Sequence, residues 1–482
     1  MALKDIGMNG GTEVQKIDLA VDRSTSQSLT DQIYIGLRAA ILQKQITPNS
    51  RLPSWRDLAA QLGVSRGTVK AVYDRLTDDL LIVAAGASGT RVVDDPQQVA
   101  PPPAITIARP LQGIVRGYNL VPLPFQMGIP AHDAFPAKLW ARLRTRALRE
   151  DAHLPASNVD PRGNIELRTQ IASYLGVARG ISCVPDQIIL TTGYRGGLDL
   201  AIRTLGVEGR KVWMEDPGFP ITRMGLVLAR MTPVSVPVDD EGIDVSIGIE
   251  RAGDAAMAVV TPGQQAPTGV VLSKARRRQL LDWAAESGAW VIEDDYLSEL
   301  QLRGRAATAL ASQDPHGRTI HIGSFGKTLS PTIGLGFVVA PASIAARFGE
   351  VAACLAPAPN TTTQLALTGF LADGHYLRHL RNMKRLYTAR RDALAKRLGN
   401  DAGIEVMAGL AMMLKLDAET DDVALARRAF EHDIAPMPLS VWYQDPAHRV
   451  PGLLVSVTNL QDRSLEKACA SLQTLIRSSG RS

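Results

Sequence analysis

Six short apolar runs, at residues 187–190, 211–214, 257–260, 289–292, 319–322 and 336–339, constrain this chain more than anything else in it. Each is short enough for a strand and too continuously apolar to have a wet face, and stretches of helical character separate them. Strands buried on both faces and spaced by helices predict a mainly parallel sheet covered on both sides, an α/β fold. Ligands of such sheets sit beyond the C-terminal strand ends. The residues that follow each run are therefore the candidates for chemistry.

Those residues share a theme. The fifth run leads into Ser324-Phe325-Gly326-Lys327-Thr328-Leu329. A lysine at a strand end among small residues can reach an aldehyde cofactor and form an imine, while Ser324 and neighbouring amides face a phosphate. The first run leads into Thr191-Thr192-Gly193-Tyr194-Arg195-Gly196-Gly197, which opens a helix whose free amides suit a phosphate, although any glycine-rich turn has this look. The second leads into Glu215-Asp216-Pro217-Gly218-Phe219, which sets an aromatic where it can stack on a flat ring. The fourth ends in Glu293-Asp294-Asp295-Tyr296. Three adjacent carboxylates repel one another unless a cation joins them, and a protonated pyridine nitrogen is such a cation. A metal ion is the competing reading, without a histidine cluster nearby to support it. With a cofactor, a carboxylate on the pyridinium keeps the ring an electron sink, and the Tyr296 hydroxyl bonds the ring oxygen.

The chain has room for more than this sheet. Its 482 residues, 45% hydrophobic and 21% charged, fit two or three globular domains. Cys183, Cys354 and Cys469 lie far apart without metal spacing, which fits a reducing compartment. No basic head followed by an apolar core opens the chain, so it is expected to stay in the cytoplasm. The uncharged span 328–346 is interrupted by Pro331, Gly334, Gly336 and Pro341 and is expected to be a buried strand and turn, not a membrane span.

Residues 1–27 are polar and aperiodic and are expected to be a flexible arm or a loose packing segment. From Leu29, Ile33, Leu37, Ala40 and Ile41 fall on one helical face, and Pro48 ends the pattern. Ser54 with Asp57 three residues later predicts a capping box and a second helix through Leu58 and Leu62. Gly63 stops it, Ser65 caps a third helix, and Val69, Val72 and Leu76 recur along that one at helical spacing. Two short helices joined by a tight glycine turn are a helix-turn-helix pattern, whose second helix brings Arg66, Thr68 and Lys70 to the major groove. Residues 81–83 and 90–93, joined across Gly86–Gly89, predict a hairpin beside it. Net charge is +5, yet the first 95 residues balance at 11 basic and 11 acidic groups. The surplus is local: seven basic residues from Arg38 to Arg75 oppose only Asp57 and Asp74. Such a stripe attracts phosphate backbones, and a helical subdomain without nucleic acid remains the alternative.

Arg51-Leu52-Pro53-Ser54, Leu58-Ala59 and Leu62-Gly63-Val64-Ser65-Arg66-Gly67-Thr68-Val69 resemble the winged helix of GntR-type regulators over residues 28–94. That resemblance implies contacts to double-stranded operator DNA from Arg51, Ser54, Arg56, Ser65, Arg66, Thr68 and Lys70, with Thr90 and Arg91 on the wing. Ala84-Ala85 stand where a basic wing residue is common. A proline-rich stretch over 95–123 is expected to be a semi-extended tether. From residue 124 the chain resembles a fold-type-I aminotransferase with large and small subdomains, the latter from about residue 350. Phe135-Pro136 with Trp140, Asp160-Pro161-Arg162-Gly163, Pro267-Thr268-Gly269 and the strand-end segments carry the likeness.

Together the halves resemble the MocR/GabR-type regulators. By that resemblance the cofactor is pyridoxal phosphate, with Lys327 its Schiff-base lysine, Asp294 the pyridinium partner before Asp295, Tyr296 the ring-oxygen donor and Phe219 the stacking ring. Gly193, Tyr194, Arg195, Ser324 and Thr328 would surround the phosphate. A head-to-tail homodimer and a small amine or amino-acid-like effector are implied as partners. Departures are Gly326 for a common serine, Gly334 for a common arginine, and the segment 452–456, which lacks the arginine that aminotransferases use for a substrate carboxylate. A functional aminotransferase with an accessory helix-turn-helix is the alternative, and that missing arginine argues against it. The long helix from His375, rich in arginine, is expected to be a solvated face or a subunit contact.

Overall fold

The computed structural model describes residues 19–94 apart from 24, 26 and 85–88, and residues 121–479 apart from 155–158, 303–306, 400–403 and 406–409. Most of the expected arm, residues 95–120 of the expected 95–123 tether and the hairpin turn at Gly86 lie outside the described residues. The chain divides into two compact units, Met1–Arg109 and Pro110–Ser482.

Local capping chemistry builds the first unit. Helices α1 (Leu29–Leu42), α2 (Trp55–Leu62) and α3 (Arg66–Asp78) each start at a serine, Ser28, Ser54 and Ser65, whose hydroxyl accepts the amide three residues on. Each such cap stabilises its helix by about 1 kcal/mol. The expected box at Ser54 closes differently: the Asp57 carboxylate accepts the Ser54 hydroxyl at 2.6 Å, side chain to side chain. Gly63 ends α2 in the left-handed conformation, φ 63°, which only glycine adopts without strain. The α3 residues Val69, Val72 and Leu76 meet Ile33, Leu37 and Ile41 of α1 in one small core. The Tyr73 hydroxyl donates to the Pro53 carbonyl at 2.7 Å and ties α3 to the start of α2. Strands β1 (Ile82–Ala84) and β2 (Thr90–Val92) pair antiparallel, Val83 opposite Arg91, as the expected hairpin.

In the second unit all six apolar runs are strands, and further strands join them. An eight-stranded sheet contains β3 (Ile188–Thr191), β4 (Lys211–Asp216), β5 (Thr232–Asp239), β6 (Gly242–Ile243), β7 (Met257–Val260), β8 (Trp290–Asp295), β9 (Thr319–Ser324) and β10 (Gly336–Val339). Its order is β3-β10-β9-β8-β7-β4-β5-β6. Neighbours from β9 to β5 run parallel, whereas β10 is antiparallel to both its neighbours and β6 to β5. Both faces are covered. Val212, Met214, Val259 and Ile292 enter one core, while Trp213, Ala258, Val260 and Val291 enter the other, where Trp213 stacks on Trp283 at 3.7 Å. Strand β5 escapes a sequence reading because Pro233 and Pro237 interrupt it, which a position near the sheet edge tolerates.

A second, antiparallel sheet contains β11 (Ile404–Glu405), β12 (Ala411–Lys415), β13 (Met437–Pro438) and β14 (Gly452–Ser456) in the order β11-β12-β14-β13. Alongside lies the helix His375–Leu398. It is not simply a solvated face: buried Arg390 bonds the Thr458 carbonyl and the Asp133 carboxylate, joining segments far apart in sequence. Among the described residues no helix is long and apolar enough to cross a membrane.

Candidate functional site

Strands β4, β7, β8 and β9 are parallel, and each delivers one chemical group to the same edge of the sheet. Glu215 and Asp294 are each next to the last residue of their strands, β4 and β8, Thr261 and Gln264 follow β7, and Ser324 ends β9. Residues from all four, with Lys327, line a cavity of about 840 Å³, within the usual range for small-molecule sites. The second sheet supplies the opposite wall through Leu410, Ala411, Met437, Pro438 and Ser456.

Of the residues expected around a cofactor, Tyr194, Phe219, Asp294, Tyr296, Ser324 and Lys327 line this cavity. Gly193 caps the helix Tyr194–Leu205 at φ 97° and ψ −172°, a backbone shape open to glycine alone. Arg195, on the first turn of that helix, is exposed, yet its charge is felt by Lys327. Thr328 departs from expectation. Its side chain is buried, bonding the Tyr376 hydroxyl at 3.1 Å, because the turn after Lys327 directs it into the core.

The three adjacent carboxylates resolve into three environments. Glu293 accepts the Leu310 and Ala311 amides at 2.6 and 2.9 Å and pairs with His321 at 3.0 Å. Asp295, the second choice for the pyridinium, instead pairs with buried Arg179 at 2.6 Å, since alternate strand residues face opposite sides. Only Asp294 reaches the cavity. Burial drives its carboxyl far above the usual carboxylate range, and the charges of Asp295 and Glu215 push the same way, with Lys327 and a Tyr194 hydrogen bond opposing. Glu215, also in the wall, is raised to about 7 by burial, against hydrogen bonds from Thr261 and Gln265. No cluster of three or more metal-ligating side chains occurs among the described residues.

Lys327 reaches across to the Gly128 carbonyl, Nζ to O 2.8 Å. Burial lowers the basicity of its amine, partly offset by Asp294 and reinforced by Arg195. A less basic lysine holds more of the neutral, nucleophilic form near neutral pH. Gly128, which carried no motif in the sequence, keeps this slot open: a Cβ there would lie 2.8 Å from Nζ. Glu215 was legible as part of its strand-end segment, but Gln264 and Trp442 carried no local signal.

The DNA-reading candidates separate as well. Arg66 and Lys70 stand exposed on the N-terminal half of α3, and exposed Arg56 lies over the Trp55 ring at 4.8 Å. The Ser54 and Ser65 hydroxyls serve as caps, and Thr68 Oγ1 is 2.8 Å from Ser65 Oγ. Arg91 donates to the Asn49 carbonyl at 2.8 Å, Arg51 packs beneath Gly89, and Thr90 accepts the Leu52 amide through its carbonyl at 2.9 Å. From the basic stripe, Arg38 and Arg75 pair with Asp79 and Asp31 at the surface.

A helix-turn-helix unit joined to a sheet with a lysine-bearing cavity defines a class: a DNA-binding regulator carrying an enzyme-like sensor. Comparison with known proteins agrees. Residues 29–92 match the bacterial regulatory proteins of the gntR family, and residues 128–472 match aminotransferase class I and II. The chain is 32% identical over 485 residues to the probable rhizopine catabolism regulatory protein MocR of Rhizobium meliloti, covering 95% of each. It is 32% identical over 387 residues to the pyridoxine biosynthesis regulator PdxR of Corynebacterium glutamicum, covering 80% of this chain and 82% of that one. An archaeal alanine:glyoxylate aminotransferase shares the fold, with a TM-score of 0.68 at 22% identity over 74% of this chain and 91% of that one. The chain belongs to the MocR subfamily of GntR-type regulators. It is a pyridoxal-phosphate-dependent, DNA-binding transcriptional regulator.

The residues present fit that cofactor. Asp294 is a buried carboxyl, raised despite the nearby Lys327, that a protonated ring nitrogen would suit, Gly128 and Gly193 leave space at Lys327 and at the helix start, and Gln264 Oε1 is a buried acceptor without a partner among the described residues.

Proposed function

We propose that this regulator holds pyridoxal phosphate through Lys327 and alters its grip on operator DNA when a small amine or amino-acid-like effector enters the same cavity. When bound, the cofactor supplies an aldehyde that amines attack and a ring that withdraws electrons. The protein's own groups then have distinct tasks. Lys327 provides the amine that carries the cofactor. Asp294 faces the ring nitrogen and favours its protonated form. The Tyr296 hydroxyl holds the ring oxygen and Phe219 covers one face of the ring. Gly193, Tyr194, Arg195 and Ser324 hold the phosphate, without the Thr328 hydroxyl.

The observation that carries this reading is the pairing of Lys327, its basicity lowered by burial, with Asp294 in one cavity. An effector amine that entered beside Lys327 and bound one domain shape better than the other would shift the population of shapes. Residues 28–94 act as the reader, residues 124–482 as the sensor with a small subdomain from about 350, and 95–123 as the tether between them. Arg56, Arg66 and Lys70 are the best placed DNA contacts, and a head-to-tail homodimer in the cytoplasm presents two readers to paired half-sites.

Footprinting upstream of the gene itself, with cofactor-loaded protein, tests the reading. The expected result is protection that changes in extent or pattern on adding an amine effector, with K327A locked in one pattern. Identical protection by wild type and K327A under all additions overturns it.

A further inference from the structure

Behind the strand that delivers Asp294 lies a buried set of charges that the cofactor site described above does not use. Glu293 and Asp295 flank Asp294 on β8 and, by the two-residue alternation of a strand, do not line the cavity. Arg179, the last residue of the helix Ile165–Arg179, meets them on that far face. Its Nε donates to Asp295 Oδ2 at 2.6 Å and its Nη1 to the Ala307 carbonyl at 2.5 Å, with the two paired side chains only 1% and 4% exposed. His321 stands between the outer carboxylates, Nδ1 3.0 Å from Glu293 and Nε2 3.7 Å from Asp295. Glu299, bonded by the Tyr174 hydroxyl, and Arg277, whose guanidinium donates to the Leu272, Thr308 and Pro262 carbonyls, are the other charges acting on this face among the described residues.

Asp294 feels this far face. After burial, the charge of Asp295 is the foremost influence raising its carboxyl, ahead of Glu215, while Lys327 and Tyr194 oppose them and Tyr296 stands close by. An uncompensated Asp295 would press on Asp294 in full, because little solvent screens groups this deep. Arg179 brings a permanent positive charge on a planar fork that matches a carboxylate. Stability alone is a weak reason for such a pair, since burying two charges costs about as much as their attraction returns. We propose that Arg179 is a positioning residue of the cofactor site: from behind β8 it offsets the Asp295 charge and so lets Asp294 hold its own charge toward the ring nitrogen. The inference rests on Asp294 facing the ring, as proposed above.

Full-length protein is titrated with pyridoxal phosphate, binding being read from the visible cofactor band and stability from the melting temperature by circular dichroism. Charge and packing then separate by sign. D295N leaves Arg179 buried without its carboxylate and lowers the melting temperature, while the positive charge left behind Asp294 tightens cofactor binding about tenfold, the worth of one pKa unit. R179K keeps the charge and loses the fork, so it melts lower and binds the cofactor as wild type does. R179M leaves Asp295 uncompensated and weakens binding about tenfold, and R179M/D295N, with both charges gone, returns to near wild-type affinity. In a D294N background none of these changes alters affinity. An affinity that in D295N stays level or falls with the melting temperature, one that in R179K falls with it, or a response that persists in D294N, overturns the inference. Should R179M not fold, D295N and R179K carry the same decision. If D294N alone leaves affinity unchanged, the ring reading itself fails, and this inference with it.

Discussion

The two units of this regulator place function in opposite ways. In the DNA reader the working side chains are exposed, lie within one or two helical turns of each other, and are positioned by caps three residues away. In the sensor they are buried, arrive from strand ends spread along the chain, and are positioned by partners more than a hundred residues distant. Lys327 meets the Gly128 carbonyl across 199 residues, and Asp295 meets Arg179 across 116. A surface site keeps its charges ionised in water and works by attraction over a distance, whereas a buried site changes what its groups are: a lysine made less basic, an aspartate whose carboxyl is pushed above the usual range, a glutamate raised to about 7. Substitutions in the first should therefore act on binding alone, and those in the second on chemistry.

Three substitutions probe that contrast. The largest effect is expected from D294N, which removes the carboxylate proposed to face a ring cation. Pyridoxal phosphate affinity should fall about ten- to a hundredfold, the size of a lost charge-assisted hydrogen bond, as read by titrating the visible band. An unchanged affinity and spectrum would mean that Asp294 is not the ring partner. R66A comes next, with a loss of about 1–3 kcal/mol in operator binding if the guanidinium reads a base, while K70A should weaken all sequences alike and lower the salt slope by about 1. Both should leave the cofactor band untouched, and a shifted band would break the division between the units. The smallest effect belongs to S65A. Loss of the cap, about 1 kcal/mol, should speed amide hydrogen exchange in α3 roughly fivefold without altering the sensor.

The same contrast governs what could be read beforehand. Ser54, Gly63 and Ser65 announce helix boundaries because each acts on its immediate neighbours, and the observed helices begin and end there. The Asp57 arrangement differed only in which atoms of the same four residues met. The six apolar runs announce strands because burial on both faces demands continuous apolarity. Thr328 shows the limit of such rules: sequence proximity to Lys327 says nothing about which way a turn directs the next side chain, and its hydroxyl meets that of Tyr376. Asp294 and Asp295 are chemically identical neighbours, and only the strand's two-residue alternation sends one to the cavity and the other to Arg179.

Sequence alone determined the two-part architecture and the apolar strands, and it singled out Lys327, which lines the cavity at the strand ends. These are consequences of short-range rules, in which a few adjacent residues decide capping, periodicity and charge. The tertiary structure alone decided that Gly128 guards the lysine, that Arg390 is interior, and that Arg427 and Trp442 line the same cavity as Lys327. Those pairings depend on chain closure over long distances, where packing of the whole sheet, and no local preference, selects which side chains meet.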